Sequence, residues 1–345
     1  LRIAITSVQV PFLAGGAEAH AEGLKKALAA RGHPVELITH PFRFFPPAEV
    51  ERAMRLWESE DLTRLNLYEP DRVICLKFPS YGAMHPSKVL WLLHQHRAAY
   101  ELFDVAGATD AEHELREQVK AFDDRHIGAI AKRFANSRRV AARLKASNNL
   151  DATALYHPPP MASQHYTADA QPYVLVPSRV ERDKRQELVV RAMREVRGPG
   201  TAVFAGEGGQ IGAMRELAAQ LGVEDRVRFL GRVPADELLG LYAHAAAICF
   251  PPLDEDLGYV TLEAMLSAKP VITCDDSGGP LEFVVDGETG HVVAPRPTEI
   301  ARAIERVLGE PARAAAMGRA GRALYAKRVP TWDQVVDTLL AERHG

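Results

Sequence analysis

Short apolar runs of β-forming composition alternate with amphipathic helical stretches along this chain, and that alternation limits what it can fold into. Strand-like runs lie at 2–8, 35–39, 72–76, 89–93 and 134–136, and a second set at 173–177, 202–205, 227–230, 246–250, 270–273 and 291–293. Helical patterns separate them, among others at 17–30, 114–132, 184–194, 211–221 and 234–244. Such alternation predicts parallel sheets with helices on both faces, an α/β fold. At 345 residues the chain is too long for one ordinary α/β domain and comfortable as two.

The one conspicuous break is His157-Pro-Pro-Pro-Met161, followed by a polar stretch to Gln171. Three successive prolines suit neither a helix nor a central strand, and they read as an inter-domain linker. Domain one is therefore expected over 1–160 and domain two over 172–325. After Pro330 a helix is expected over 331–344, packing back on domain one.

Composition excludes several classes. Apolar residues make up 47% of the chain, enough for two cores and too much for disorder. The net charge is −3, with lysine and arginine dispersed, which gives no footprint for nucleic acid. Cys75, Cys249 and Cys274 are isolated in or beside apolar runs and read as buried free thiols of a reducing compartment. No apolar run approaches the roughly 18 residues of a membrane span, and the first residues enter a strand directly rather than a signal segment. A cytoplasmic chain is the expectation, with peripheral contact at the inner face of a membrane left open.

The segments that carry chemistry follow strands. Glu255 and Glu263 stand eight positions apart across a strand–loop–helix junction, so both carboxylates can face the carboxyl edge of a parallel sheet, where ligands of open α/β sheets bind. Leu13-Ala-Gly-Gly-Ala-Glu18 follows the first strand and opens a helix, where Gly15 and Gly16 permit close backbone approach to an anion. It lacks the GxGxxG spacing of a simple dinucleotide site. Arg179 and Lys184, on the connection after 173–177, read either as a diphosphate clamp or as part of a solvated basic loop that also holds Arg182 and Arg185.

Glycine turns recur at Gly206-Glu-Gly-Gly209 and Ser277-Gly-Gly-Pro-Leu-Glu282, and a short turn carries Val233. His94 and His96 flank Gln95 at a strand end and can serve as hydrogen-bond donors or proton shuttles. Asp254-Glu-Asp256 spells a DxD, which elsewhere holds a divalent metal on a diphosphate; with two cations available and no third ligand nearby, metal is the minority reading.

Read in order, the segments are Gly-Gly-Ala-Glu, His, Ser-Arg-x4-Lys, Gly-Glu-Gly, Phe-Leu-Gly-Arg-Val, Glu-x7-Glu, Gly-Gly-x-x-Glu and Asp-Gly-x-Thr-Gly. In this order they resemble the retaining GT-B glycosyltransferases of family 4 over nearly the full chain, the specific part lying at 174–293. The resemblance implies two Rossmann-like doubly wound domains with a nucleotide-sugar in the cleft between them. It implies that Glu263 binds the ribose hydroxyls, since a carboxylate can accept from a vicinal diol. By the same resemblance Glu255 lies at the donor sugar, Arg179 and Lys184 at the diphosphate, and Gly15 and Gly16 over that diphosphate. Val233 and the turn at Gly206 would meet the base through main chain. The N–H groups of Leu257, Gly258 and Tyr259 would hold phosphate or sugar, and His94 matches the family's domain-one histidine, with His96 as competitor.

The activity implied is retaining, metal-independent transfer of a sugar from a UDP- or GDP-linked donor, with no cofactor. The acceptor would be a glycan, lipid-linked or small-molecule hydroxyl, held by 12–14, 42–45 and 78–84. Where the family loop usually reads Glu-Gly-Phe-Gly, this chain reads Glu255-Asp-Leu-Gly258, which leaves sugar specificity open. The alternatives are an epimerase of the same architecture, a non-catalytic nucleotide-sugar-binding module, and a phosphorylase-like enzyme, which would need a longer chain.

Overall fold

A computed structural model describes residues 1–12 and 15–342 of the chain, in two compact units. The first comprises Leu1–Pro160 together with the C-terminal residues from Pro330; the second is Met161–Val329.

Unit one contains β1 (Ile3–Gln9), α1 (Gly16–Ala30), β2 (Val35–Pro41), α2 (Pro47–Ser59), β3 (Arg72–Cys75), β4 (Lys88–Leu92), α3 (Asp110–Ala129), β5 (Lys132–Ala135), α4 (Arg138–Asn148) and β6 (Thr153–Ala154). Its six strands form one parallel sheet in the order β2-β1-β3-β4-β5-β6. Two apolar layers sandwich it: one around Trp57, Tyr81 and Phe122, the other around Trp91, Leu24 and Leu28. Helix α3 begins at a capping box in which Thr109 and Glu112 satisfy each other's backbone N–H groups. That box sets its start at Asp110, four residues before the helical pattern read from sequence, and its end leaves Lys132 on a strand.

Unit two contains β7 (Tyr173–Pro177), α5 (Gln186–Glu195), β8 (Thr201–Ala205), α6 (Ile211–Leu221), β9 (Val227–Gly231), α7 (Ala235–His244), β10 (Ala247–Cys249), α8 (Tyr259–Leu266), β11 (Val271–Cys274), β12 (Gly290–Val293), α9 (Pro297–Gly309) and α10 (Pro311–Arg328). Its sheet is also parallel, in the order β12-β11-β10-β7-β8-β9. The strand order reverses between β7 and β10, so the loops leaving those two strands splay apart above a gap in the sheet's carboxyl edge.

The final helix, α11 (Trp332–Leu340), belongs to unit one. Val335, Val336 and Leu339 are fully buried there, each contributing roughly 1.5–3 kcal/mol of burial. Its last carbonyls receive cations from the sheet: Lys132 Nζ donates to Thr338 O at 2.7 Å and Ala341 O at 2.8 Å, and Arg72 donates to Leu340 O at 2.7 Å. Positive charge at a helix C-terminus also suits the macrodipole. The helix stops at Leu340, short of the expected 344, and residues 343–344 lie outside the described residues.

The polar stretch 161–171 differs from the linker read in the sequence. It lies on unit two: His165 Nδ1 meets Ser267 Oγ at 2.8 Å, Ala168 N donates to Ala243 O at 3.2 Å, and Lys269 Nζ donates to Ala168 O at 3.0 Å. The prolines stand at the boundary between the units, but the residues after them bond helix ends of unit two through their side chains and amides. At the other end α10 runs to Arg328, three residues past the expected limit of 325.

Candidate functional site

The β7 and β10 loops bring together the charged residues singled out in the sequence. After Pro177 the chain turns through a 3-10 segment, Arg182–Lys184, and a left-handed Arg185 before α5 starts at Gln186. Lys184 therefore sits in the turn rather than at the head of a helix. Its Nζ lies 2.5 Å from Glu255 Oε2 and 2.9 Å from Asp183 Oδ2. Burial disfavours the ammonium, but the two carboxylates outweigh it and hold the Lys184 pKa above its ordinary value. Arg179 is exposed on the same loop.

Arg185, read as one more solvated charge, is a brace. Its guanidinium pairs with Asp276 through both nitrogens, at 2.7 and 2.5 Å, and donates to the carbonyls of Pro251 and Pro252 at 2.9 and 2.8 Å. One side chain thus joins the loops after β7, β10 and β11. That fork geometry is what arginine offers and lysine does not.

The Glu255 segment is held from the other side by Ser277-Gly-Gly279. Glu255 N donates to Ser277 O at 2.9 Å and Gly279 N to Glu255 O at 2.8 Å. A Cβ on Gly278 would fall 2.6 Å from Glu255 O, and one on Gly279 2.5 Å from Asp256 O. These glycines are needed for backbone to lie on backbone, which fixes where Glu255 points. Gly206 has the same kind of cause: a Cβ there would fall 2.0 Å from Ser178 O. Asp254 adopts φ 48° and donates its N–H to Asp276 O, so the DxD segment is a tight turn in this seam.

Leu257 is buried, and Gly258, at φ 80°, is the residue from which α8 departs. Tyr259 is the first residue of that helix, whose amino end stands beside Glu255 in the chain. Glu263 lies one turn further in. Tyr242 on α7 donates its hydroxyl to Glu263 Oε2 at 2.6 Å. The Glu263 residue is half-buried but its carboxyl group is enclosed, and that burial, against the hydrogen bond, pushes its pKa up to about 7. Tyr242 was missed in the sequence, where it is one apolar-face residue of a helix; only its buried hydroxyl, which must find a partner, hints at more. Val233 is half-buried after β9 and packs on the core beside Tyr242.

In unit one, Gly15 caps α1 and donates its N–H to Glu18 Oε2 at 2.8 Å, and Gly16 opens the helix. The neighbouring Leu13 and Ala14, part of the expected acceptor segment 12–14, lie outside the described residues. His94 follows β4, half-buried, with Nδ1 2.6 Å from Gln95 O. His96 is buried against Phe78, at 5.2 Å between ring centres, and its pKa falls to about 4, first through burial and then through His94. It reads as core, which leaves His94 as the accessible member of the pair. Gln95 anchors the turn: its amide donates to Asp123 Oδ2 and to Asn148 Oδ1, each at 2.8 Å. Asp123, buried under the hydroxyls of Tyr81 and Tyr100, has its pKa raised to about 6 by burial.

Known proteins fit this arrangement. The family described as glycosyl transferases group 1 matches residues 161–324. The GDP-mannose-dependent alpha-(1-6)-phosphatidylinositol monomannoside mannosyltransferase of Mycobacterium tuberculosis is 30% identical over 310 residues, covering 85% of this chain and 80% of that one. This chain belongs to the group 1 glycosyl transferases. The Mycolicibacterium smegmatis enzyme of the same description is 33% identical over 244 residues, and the match spans 66% of this chain and 63% of that relative's length. Among solved structures, a sucrose-phosphate synthase from Thermosynechococcus elongatus superposes with a TM-score of 0.79 over 97% of this chain and 96% of its own, at 19% identity. That likeness shows the fold, the GT-B pairing of two Rossmann-like domains. No helix among the described residues is long and apolar enough to cross a membrane.

Proposed function

We propose that this glycosyltransferase moves a hexose from a nucleoside diphosphate sugar to a hydroxyl acceptor with retention of configuration and without a divalent metal. One observation carries the reading: the Lys184 ammonium, the Glu255 carboxylate and the amino end of α8 gather at the switch point of unit two's parallel sheet.

In this reading Arg179 and Lys184 hold the diphosphate, and the N–H groups of 257–259 complete its hydrogen bonds. Glu263 takes the ribose, Val233 and the Gly206 turn meet the base, and Glu255 faces the sugar hydroxyls. From unit one, Gly15 and Gly16 offer a backbone surface for an anion, and His94 a hydrogen-bond donor. The bond from C1 to the diphosphate oxygen breaks, which builds negative charge on phosphate and oxocarbenium character on the ring. Fixed cations and N–H dipoles at the phosphate stabilise that charge most. The acceptor oxygen bonds to C1 on the face the diphosphate leaves, and its proton passes to a phosphate oxygen. No side chain here is needed as a covalent nucleophile.

Because the mycobacterial relatives are named as GDP-mannose-dependent, GDP-mannose is the first donor to test, with UDP-sugars beside it. The acceptor class proposed is a glycan, a lipid-linked sugar or a small polyol. Lys184→Ala and Glu255→Ala should abolish transfer and donor hydrolysis while circular dichroism shows the fold intact, and EDTA should leave activity unchanged. Wild-type turnover in both variants would refute the site, and a strict metal requirement would bring back Asp254 and Asp256. Epimerised donor without transfer would favour the epimerase reading.

A further inference from the structure

The buried face of the site holds a hydroxyl that the reading above does not use. Tyr242, on α7, is fully buried, and among the described residues its hydroxyl finds one polar partner, Glu263 Oε2, at 2.6 Å. A hydroxyl buried at that depth needs a partner, and a carboxylate enclosed there needs a donor. The phenol is itself held. The His165 ring stands edge-on to it, 5.4 Å between centres at 78°, and His165 Nδ1 is tied to Ser267 Oγ just beyond the end of α8. Residues 161–171 thus clamp α7 against α8 at the level of Glu263.

We propose that Tyr242 is the positioning residue of the ribose anchor: its hydroxyl occupies Glu263 Oε2 and fixes the carboxylate so that Oε1 alone is presented to the donor's ribose. This rests on the reading of Glu263 as the ribose contact. It replaces a carboxylate gripping the vicinal diol with both oxygens by one oxygen aimed by a tyrosine. The class of ligand recognised is a ribonucleoside diphosphate, distinguished from its deoxy counterpart by hydroxyls that donate to Oε1.

The surroundings make the pairing consequential. Among the described residues no lysine, arginine or histidine offsets the burial of the Glu263 carboxylate; burial raises its pKa and the Tyr242 hydrogen bond draws it back. Tyr259, at the head of the same helix, adds an ionisable group whose own pKa is raised by burial first and by Glu263 second. Beneath α8, β10 and β11 supply the apolar side chains of Ile248 and Val271, which pack with Tyr242 and Ala264. Helix α10 meets α8 through Gly318 and Gly321, against Ala268 and Met265. Tyr242 therefore decides how readily Glu263 ionises as well as where it points.

The test uses Tyr242→Phe, which keeps the buried ring, and calorimetric binding of GDP or UDP, whichever the protein takes, beside the 2′,3′-dideoxy form of the same nucleotide, from pH 5.5 to 8.5. The ribonucleotide should bind roughly two- to tenfold more weakly to the variant, the size of one net hydrogen bond. The dideoxy form should bind unchanged, and the pH midpoint of ribonucleotide binding should move upward. Equal weakening of both nucleotides, or an unmoved midpoint, would make Tyr242 a packing residue and overturn the proposal. Glu263→Gln separates the two layers. If that variant keeps the wild-type preference for ribose, Glu263 is not the anchor and both readings fall. If it loses the preference while Tyr242→Phe keeps it, only the role of Tyr242 falls.

Discussion

Lys184 Nζ and Glu255 Oε2 are 2.5 Å apart although 71 positions separate the residues in sequence. The contact gives the site's lysine a carboxylate partner before any diphosphate arrives. In the proposed reading a donor's phosphate competes for that ammonium, and Glu255 is released as it does so. Glu255→Gln should therefore tighten binding of the bare nucleoside diphosphate by roughly two- to fivefold, what a part-exposed ion pair is worth, while transfer collapses. Lys184→Ala should weaken the same ligand by about ten- to hundredfold, the loss of a charge-assisted hydrogen bond. Titration calorimetry on both variants checks this; weaker binding in Glu255→Gln would show that the pair is not competed for.

Arg185 differs from its neighbour in role. With both nitrogens on Asp276 and further bonds to Pro251 and Pro252, it holds the loops that carry Glu255. Arg185→Lys keeps the charge and loses the fork, so urea unfolding should register a loss of about 1.5–3 kcal/mol. Donor KM should rise in parallel, as the Glu255 loop loosens. A variant as stable as wild type would show that Ser277 and the two glycines after it suffice to hold the seam.

Glu263 predicts an unusual pH dependence. Its pKa in the fold is about 7, above the ordinary 4.5, so folding favours the protonated carboxyl. Stability from this group is fully present below about pH 4.5 and is lost as pH rises through 7. The span is on the order of 3 kcal/mol. If Glu263 takes the ribose as proposed, donor binding should strengthen over the same range. Urea unfolding at pH 5.5, 7 and 8.5 should show the unliganded wild type losing stability relative to Glu263→Gln as pH rises; parallel curves would mean that the carboxyl is well solvated.

How much of this was legible in the chain follows from what each feature depends on. The alternation of strands and helices, the loops that carry Arg179, Lys184 and Glu255, and the spacing to Glu263 are local, and the sequence states them directly. The Lys184–Glu255 contact depends on β7 and β10 being neighbours, and sheet order is not written in any one segment. Gly278 and Gly279 were visible as a turn, but their cause, a backbone lying on the Glu255 loop, is tertiary. Arg185 looked like one more charge in a basic run because nothing nearby in sequence names Asp276. Three prolines imply a linker whatever follows them, whereas the polar groups of 161–171 bond the ends of α7 and α8, partners that no local pattern names. Tyr242 was invisible for the opposite reason: among apolar helix residues, a tyrosine that packs and one that donates look alike.

The last prediction concerns unit one and acid. His20, on α1, is fully buried with its ring 4.1 Å from that of His157 and 4.0 Å from the ring of Trp91, and neither of its nitrogens finds a hydrogen-bond partner among the described residues. Trp332 of α11 covers the same cluster, 5.3 Å from His157. Burial lowers the pKa of His20 well below 6.5, with His157 adding to the effect, and burial takes His157 to about 4. Folding thus requires both rings neutral. Their contribution is complete above pH 6.5 and is lost as pH falls toward 4. Each proton the unfolded chain takes up and the fold refuses costs about 1.4 kcal/mol per pH unit. His20→Leu removes one refused proton and one unpaired polar ring, so its stability at pH 7.5 should equal or exceed wild type and its fall between pH 6 and 4.5 should be shallower by about that slope. Since α11 closes over this pocket, acid should expose Trp332 first, and its fluorescence should shift to the red before the far-ultraviolet circular dichroism changes. If His20→Leu and wild type lose stability with the same slope, the acid response belongs to other groups, and the ring of His20 is paired in solution.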